Sequence, residues 1–209
     1  MNARRARRVV LLGGSAALIA CGNSGKGSPV GVIPADTPSC GSTKAVLNTI
    51  PLASSAISGW VPLGNLNPPA HTFPTDHQYI YLAGFGTNAA VAEIPLLSPG
   101  NVTITSVKVT HYLTSAPYDD YAVGFLACKE VWGEFGHVRT LSAALKAQIG
   151  AIDQSCNTYS PDPSLTVQQC YSKPLAVKLA GGDAMGTAAG LDLSLFDNRI
   201  TPITFVSPT

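Results

Sequence analysis

Six stretches of the chain carry apolar or β-branched side chains in runs that alternate, or nearly alternate, with polar ones. They are HQYIYLAGF from His77, NVTITSVKVTHYL from Asn101, DDYAVGFLAC from Asp119, KPLAVKLAGG from Lys173, GLDLSLFD from Gly190 and ITPITFV from Ile200. A period of two puts successive side chains on opposite faces of a strand, and most of these runs are bounded by Gly, Pro, Asn or Asp. Only TLSAALKAQIGAI has the helical period, with Leu141, Leu145, Ile149 and Ile152 on one stripe. Short strands with one short helix predict a mainly β domain, built as a barrel or a sandwich.

The pattern is different at the N-terminus. Arg4, Arg5, Arg7 and Arg8 precede an apolar run from Val9 to Ala20. This reads as a secretory leader, because an apolar region of about a dozen residues is too short to span a bilayer. Leu18-Ile19-Ala20-Cys21 resembles the bacterial lipobox, whose cysteine becomes the lipid-modified N-terminus after cleavage. The resemblance implies a leader over 1–20, a membrane anchor through lipidated Cys21 and a place in the bacterial cell envelope, facing an extracytoplasmic space. The Gly, Ser and Pro of residues 21–39 predict a flexible tether. Residues 40–209 have the length of one domain, with no internal repeat or second linker.

Cleavage changes the charge. The whole chain has thirteen basic and twelve acidic side chains. Loss of the four leader arginines leaves nine against twelve, a net charge of −3 with no basic patch for nucleic acid. Four cysteines then remain, Cys40, Cys128, Cys156 and Cys170, and an even number in an oxidising compartment favours disulfides over a metal cluster. The most local pairing is Cys156 with Cys170, leaving Cys40 for Cys128, although the sequence does not decide connectivity.

Candidate chemistry gathers first in NPPAHTFPTDHQYIYL, residues 67–82. Pro68, Pro69 and Pro74 stiffen a loop that feeds a strand beginning near His77, and rigid loops support ligands well. In that strand His77, Tyr79 and Tyr81 share one face, and Gln78, Ile80 and Leu82 the other. The plainer reading is that His71 and His77 cap backbone groups in the turn. Elsewhere, His111 is expected to sit on a sheet surface, and Asp119 with Asp120 to form a turn. Glu130 and Glu134 are expected to flank a hairpin turn at Gly133 and Gly136, with no visible partner, and Asp197 with Arg199 to make a salt-bridged turn.

Two segments carry a family resemblance. VWGEFGHVRTLS around His137 resembles the histidine segment of the lysostaphin-type zinc endopeptidases, the peptidoglycan-cutting metallopeptidases. LAVKLAGGDAMGTAAGLDLSLFD resembles their closing hairpin, where a glycine-rich turn leads into the last ligand strand. The resemblance covers roughly residues 64–197 and implies a lysostaphin-like β-barrel or sandwich of the duplicated hybrid motif type. It also implies a zinc ion and a catalytic role for His137. The family's first two ligands are a histidine and an aspartate four residues on, whereas here His71 is followed by Asp76 at five and His77 at six. The closing histidine pair is absent: Gly190 stands at one position and Asp192 at the other. The implied ligand set is therefore His71, His77 and Asp192, with Asp76 as the alternative to His77; two imidazoles and a carboxylate leave zinc a position for water.

Two functions follow. One is a lipid-anchored zinc hydrolase of cell-wall or other extracytoplasmic peptide bonds, in which zinc lowers the pKa of its water and His137 assists at the substrate oxygen. The other is a catalytically inactive relative that keeps the groove and binds a glycan, a peptide or an envelope protein partner.

Overall fold

The computed structural model describes residues 33–65, 77–84, 92–114 and 116–201. Ten strands and one α-helix follow in the order β1 (Ile57–Val61), β2 (Gln78–Leu82), β3 (Ile94–Leu97), β4 (Val102–Tyr112), β5 (Tyr118–Leu126), β6 (Val131–Leu141), α1 (Ala143–Ile149), β7 (Ser155–Asp162), β8 (Leu165–Tyr171), β9 (Val177–Leu179) and β10 (Ala184–Asp197). They form one antiparallel sheet in the order β1-β2-β10-β6-β5-β4-β8-β7, with β3 added to β10 and β9 to β4. The domain is mainly β, as the alternation predicts, but the sheet is open, with β1 and β7 at its two ends. The expected leader, Cys21, His71, Asp76 and the ITPITFV run beyond Thr201 lie outside the described residues.

The core lies on one face of this sheet. Val107 and Val109 of β4, Val123 and Phe125 of β5, Phe135 and Val138 of β6, Leu191 of β10 and Ile80 and Leu82 of β2 are all buried, each from the apolar phase of its strand. The Phe125 and Phe135 rings meet with centroids 5.3 Å apart. Burying a side chain of this size contributes about 1.5–3 kcal/mol. The helix covers part of the same core. Ser142 caps it by accepting from Leu145 N at 3.1 Å, Gly150 ends it at φ 72°, and Leu145 and Ile149 point inward. The apolar stripe of the sequence thus runs past the helix at both ends, since Leu141 belongs to β6 and Ile152 packs on the core after the C-cap.

Gly133 and Gly136 do not make a turn; both lie inside β6. The β5–β6 connection is formed by residues 127–130, with Ala127 N donating to Val131 O at 2.9 Å. The glycines answer to crowding. A Cβ on Gly133 would sit 2.5 Å from Ser194 O and 2.7 Å from Phe125 Cζ, and one on Gly136 would sit 3.2 Å from Asp192 Cβ.

Both disulfides are present in the favoured pairing. Cys156 and Cys170 face each other across β7 and β8, and Cys40 is joined to Cys128 in the β5–β6 turn. Around the second bond the N-terminal segment is held by Glu130, which accepts from Cys40 N at 2.8 Å and Ser39 Oγ at 2.7 Å. These two donors, led by the Cys40 backbone N–H, keep the Glu130 carboxyl below its ordinary range. Residues 36–39, read from sequence as the end of the tether, rest against the domain, with Thr37 buried and Asp36 paired to Lys178. The Asp197–Arg199 turn is salt-bridged at 2.7 Å as expected, and Arg199 also donates to Thr43 O.

Candidate functional site

Asp119 and Asp120 lie in β5 rather than in a turn. Adjacent strand residues point to opposite faces, so each carboxylate serves a different histidine on a different neighbouring strand. On one side, His111 of β4 donates from Nδ1 to Asp119 Oδ1 at 2.7 Å, and Tyr121 OH donates to Asp119 Oδ2 at 3.1 Å. Burial, and after it the Asp119 charge, pushes the Tyr121 phenol up to about 12. On the other side, His137 of β6 donates from Nδ1 to Asp120 Oδ2 at 2.7 Å.

His137 owes its position to two irregularities in the sheet. Between the pairs Tyr121–Val138 and Val123–Phe135, β6 spends two residues, Gly136 and His137, against the single Ala122 of β5. On the other flank, β10 inserts Ala189, Gly190 and Leu191 against the single His137. Bulges of this kind re-aim a side chain. His137 has φ 59°, and no other non-glycine among the described residues has a positive φ. A β-imidazole in this conformation is strained, and strain held by its surroundings is common at working sites.

The re-aimed ring lies between two carboxylates, with Nδ1 at Asp120 and Nε2 at 3.3 Å from Asp192 Oδ2. Hydrogen bonds to Asp120 and then to Asp192 outweigh the opposing effect of burial and raise the His137 pKa from 6.5 to about 10. At neutral pH the ring is an imidazolium with both N–H groups engaged. A folded pKa above the unfolded one means stabilisation that is complete below pH 6.5 and is lost as pH rises towards about 10. With the side chain 58% exposed, solvent screening keeps this near about 1 kcal/mol. Wild type is therefore expected to lose more melting temperature than His137→Asn between pH 6.5 and 10, asparagine being tolerant of the same backbone. Parallel curves of melting temperature against pH would exclude a charged His137.

Around this ring is a cleft of about 410 Å³. Asp120, His137 and Asp192 are on its polar side, and Tyr79, Tyr81, Tyr112 and Tyr118 supply aromatic walls. Tyr112 and Tyr118, opposite each other on β4 and β5, stack at 4.4 Å, and the Arg139 guanidinium lies 4.4 Å over the Tyr118 ring. Tyr112 and Tyr118 are therefore held against each other without a ligand.

The sequence-derived residues are partly gathered here. His77 Nε2 is 3.6 Å from the same Asp192 Oδ2 that His137 approaches, and the His77 ring packs on Tyr79 at 4.6 Å. Among the described residues, the group of three metal-capable side chains whose ligand atoms lie within 4.8 Å of one another is Cys40, Cys128 and Glu130, and its cysteines are disulfide-bonded. His77, His137 and Asp192 do not form such a group. The described residues alone therefore do not fit zinc. Asp120 was expected only as part of a turn, and Tyr112, Tyr118 and Arg139 were not singled out by sequence reasoning. Reading HYLTSAPYDD as a hairpin would have put His111 opposite Asp119 and Tyr112 opposite Tyr118, which is the observed register.

Comparison of the chain with known protein families, curated proteins and solved structures finds no match.

Proposed function

We propose that this chain is an envelope-anchored binding domain that holds a neutral glycan in the tyrosine-walled cleft and does not cut it. The observation that carries the reading is His137, strained into a bulge and held between Asp120 and Asp192 in a cleft that four tyrosines also line. Flat aromatic faces stack on the apolar faces of sugar rings, while carboxylate oxygens take up hydroxyl protons. The closing histidine pair of the zinc endopeptidases is replaced by Gly190 and Asp192, which removes imidazoles that cutting would use and favours binding alone. Two disulfides fit an oxidising, extracytoplasmic setting, and the lipobox-like LIAC supports an anchor through Cys21.

One observation favours a second reading, the lysostaphin-like zinc hydrolase. His77 and His137 both approach Asp192 Oδ2, and Asp120 stands behind His137 as a carboxylate stands behind a metal-binding imidazole. That reading needs His71 as a further ligand beside Asp192 and His77, with Asp76 as the alternative to His77. Titration calorimetry on the mature protein separates the two. A chitin-type oligosaccharide is expected to bind, and Tyr118→Ala to weaken it about tenfold, the equivalent of one stacked ring. Stoichiometric zinc binding at micromolar concentration, lost in His77→Ala, together with no sugar binding, would replace the glycan reading with the hydrolase.

A further inference from the structure

The outer face of the sheet continues beyond the cleft. On β4, Ser106, Lys108, Thr110 and Tyr112 alternate onto this face; on β5, Gly124, Ala122, Asp120 and Tyr118 stand opposite them in register. Beyond Asp120 the middle strand carries only Ala122 and Gly124 on this face, while long side chains stand beside them: Lys108 opposite Ala122 on β4 and Glu134 opposite Gly124 on β6. Low residues flanked by tall ones make a trough along β5. A Cβ on Gly124 would lie 2.4 Å from Ser106 Oγ, so a larger residue there would have to turn the Ser106 hydroxyl aside.

Two further hollows follow one another along this trough. The first, about 350 Å³, shares Tyr112, Asp120, His137 and Asp192 with the tyrosine-walled cleft. The second, about 220 Å³, shares Lys108, Ala122 and Glu134 with the first. Each has its own aromatic wall from the β7–β8 hairpin, Tyr159 in the first and Tyr171 in the second. Both tyrosines are exposed, at 40% and 44%. The hairpin that carries them is braced by Cys156–Cys170, so these rings too are held on a fixed support. From Tyr112 to Ser106 the furrow runs about 20 Å at about 3.3 Å per strand residue.

We infer that the site takes a chain of several sugar units, running from the Tyr112–Tyr118 stack past Tyr159 to a distal subsite at Tyr171, Lys108 and Glu134. This rests on the glycan reading and names the form of ligand it requires. An aromatic face recurs in each section, as a repeating ligand needs, and a charged pair at the far end offers both a donor and an acceptor to ring substituents. A single sugar would leave the two further sections empty.

The test is calorimetry of the mature protein with the disaccharide and the hexasaccharide of one chitin-type series. The hexasaccharide is expected to bind at least about tenfold more tightly, the contribution of roughly one more stacked ring. In Tyr171→Ala, a change at an exposed position, the ratio of the two affinities is expected to fall towards one. Equal wild-type affinities for the two lengths would overturn the furrow and leave the single-cleft reading standing. Binding of neither sugar would remove the glycan reading and the furrow with it. Preferential binding of an extended peptide of similar length would likewise overturn the assignment.

Discussion

Gly186→Ala is expected to destabilise the domain by more than about 3 kcal/mol, which for a domain of this size lowers the melting temperature by roughly 10 °C. A Cβ at this position would lie 1.8 Å from Thr140 O and 2.8 Å from Thr140 C, both backbone atoms of β6. No rotamer change relieves such a contact. The backbone cannot retreat either, because β10 is paired on one side with β6 and on the other with β3 at this point, Gly186 facing Leu141 and Leu96. Gly190→Ala provides the contrast, since nothing lies within 4 Å of its added Cβ and its φ is not positive. Thermal melts followed by circular dichroism should show Gly190→Ala close to wild type and Gly186→Ala far below it. A Gly186→Ala variant melting with the wild type would mean that β10 is not clamped between β3 and β6.

The second large effect belongs to the disulfides. Closing a longer loop removes more freedom from the unfolded chain. Cys40–Cys128 spans 88 residues and Cys156–Cys170 spans 14. The loop-length relation gives about 4.6 kcal/mol for the first and about 3 kcal/mol for the second. Paired replacement of Cys40 and Cys128 by serine should therefore cost more in urea unfolding than paired replacement of Cys156 and Cys170. The native contacts reinforce the order: the long-range bond ties down the segment that also satisfies Glu130, whereas the short one braces a hairpin already paired by its ladder. The opposite order would show that the N-terminal segment docks without its covalent tie.

How much of this was legible depends on whether the deciding neighbour is near in sequence. Strands β4, β5 and β10 carry long alternating runs; the structure buries the apolar phase of β4 and β5, whereas in β10 Leu191 is buried and Leu195 is exposed. Strand β7 was invisible because SCNTYSPD has no apolar face and ends around Pro161; it is an exposed edge strand, held by its hairpin partner and a disulfide. Glycine is ambiguous by itself. Gly133 and Gly136 read as a turn, and only the approach of Ser194, Phe125 and Asp192, all distant or on other strands, reveals them as close-packing positions. The Asp119-Asp120 pair was misread for the same reason, since a dipeptide of aspartates favours turns unless neighbouring strands supply histidines. His137 and Asp192 were both singled out by resemblance, and the pairing of Gly136 with Asp192 brings them together. The carboxylate on its other side, Asp120, had no signature of its own.

The place of β10 in the strand order also governs the sequence of events in folding. Hairpins β4–β5, β5–β6 and β7–β8 join neighbours along the chain and can form as soon as they are made, whereas among the described residues the long strand that β2 and β3 pair with is β10, which begins only at Ala184. Until β10 arrives, the early meander ends in the open backbone edge of β6, and β1 with β2 is an isolated ribbon, a form that is marginal in water. A chain emerging from its N-terminus first must therefore carry an unfinished, adhesive sheet until β10 appears. The final long strand then enters between β2 and β6 and joins the two halves in one step, at the cost of slow, non-local closure.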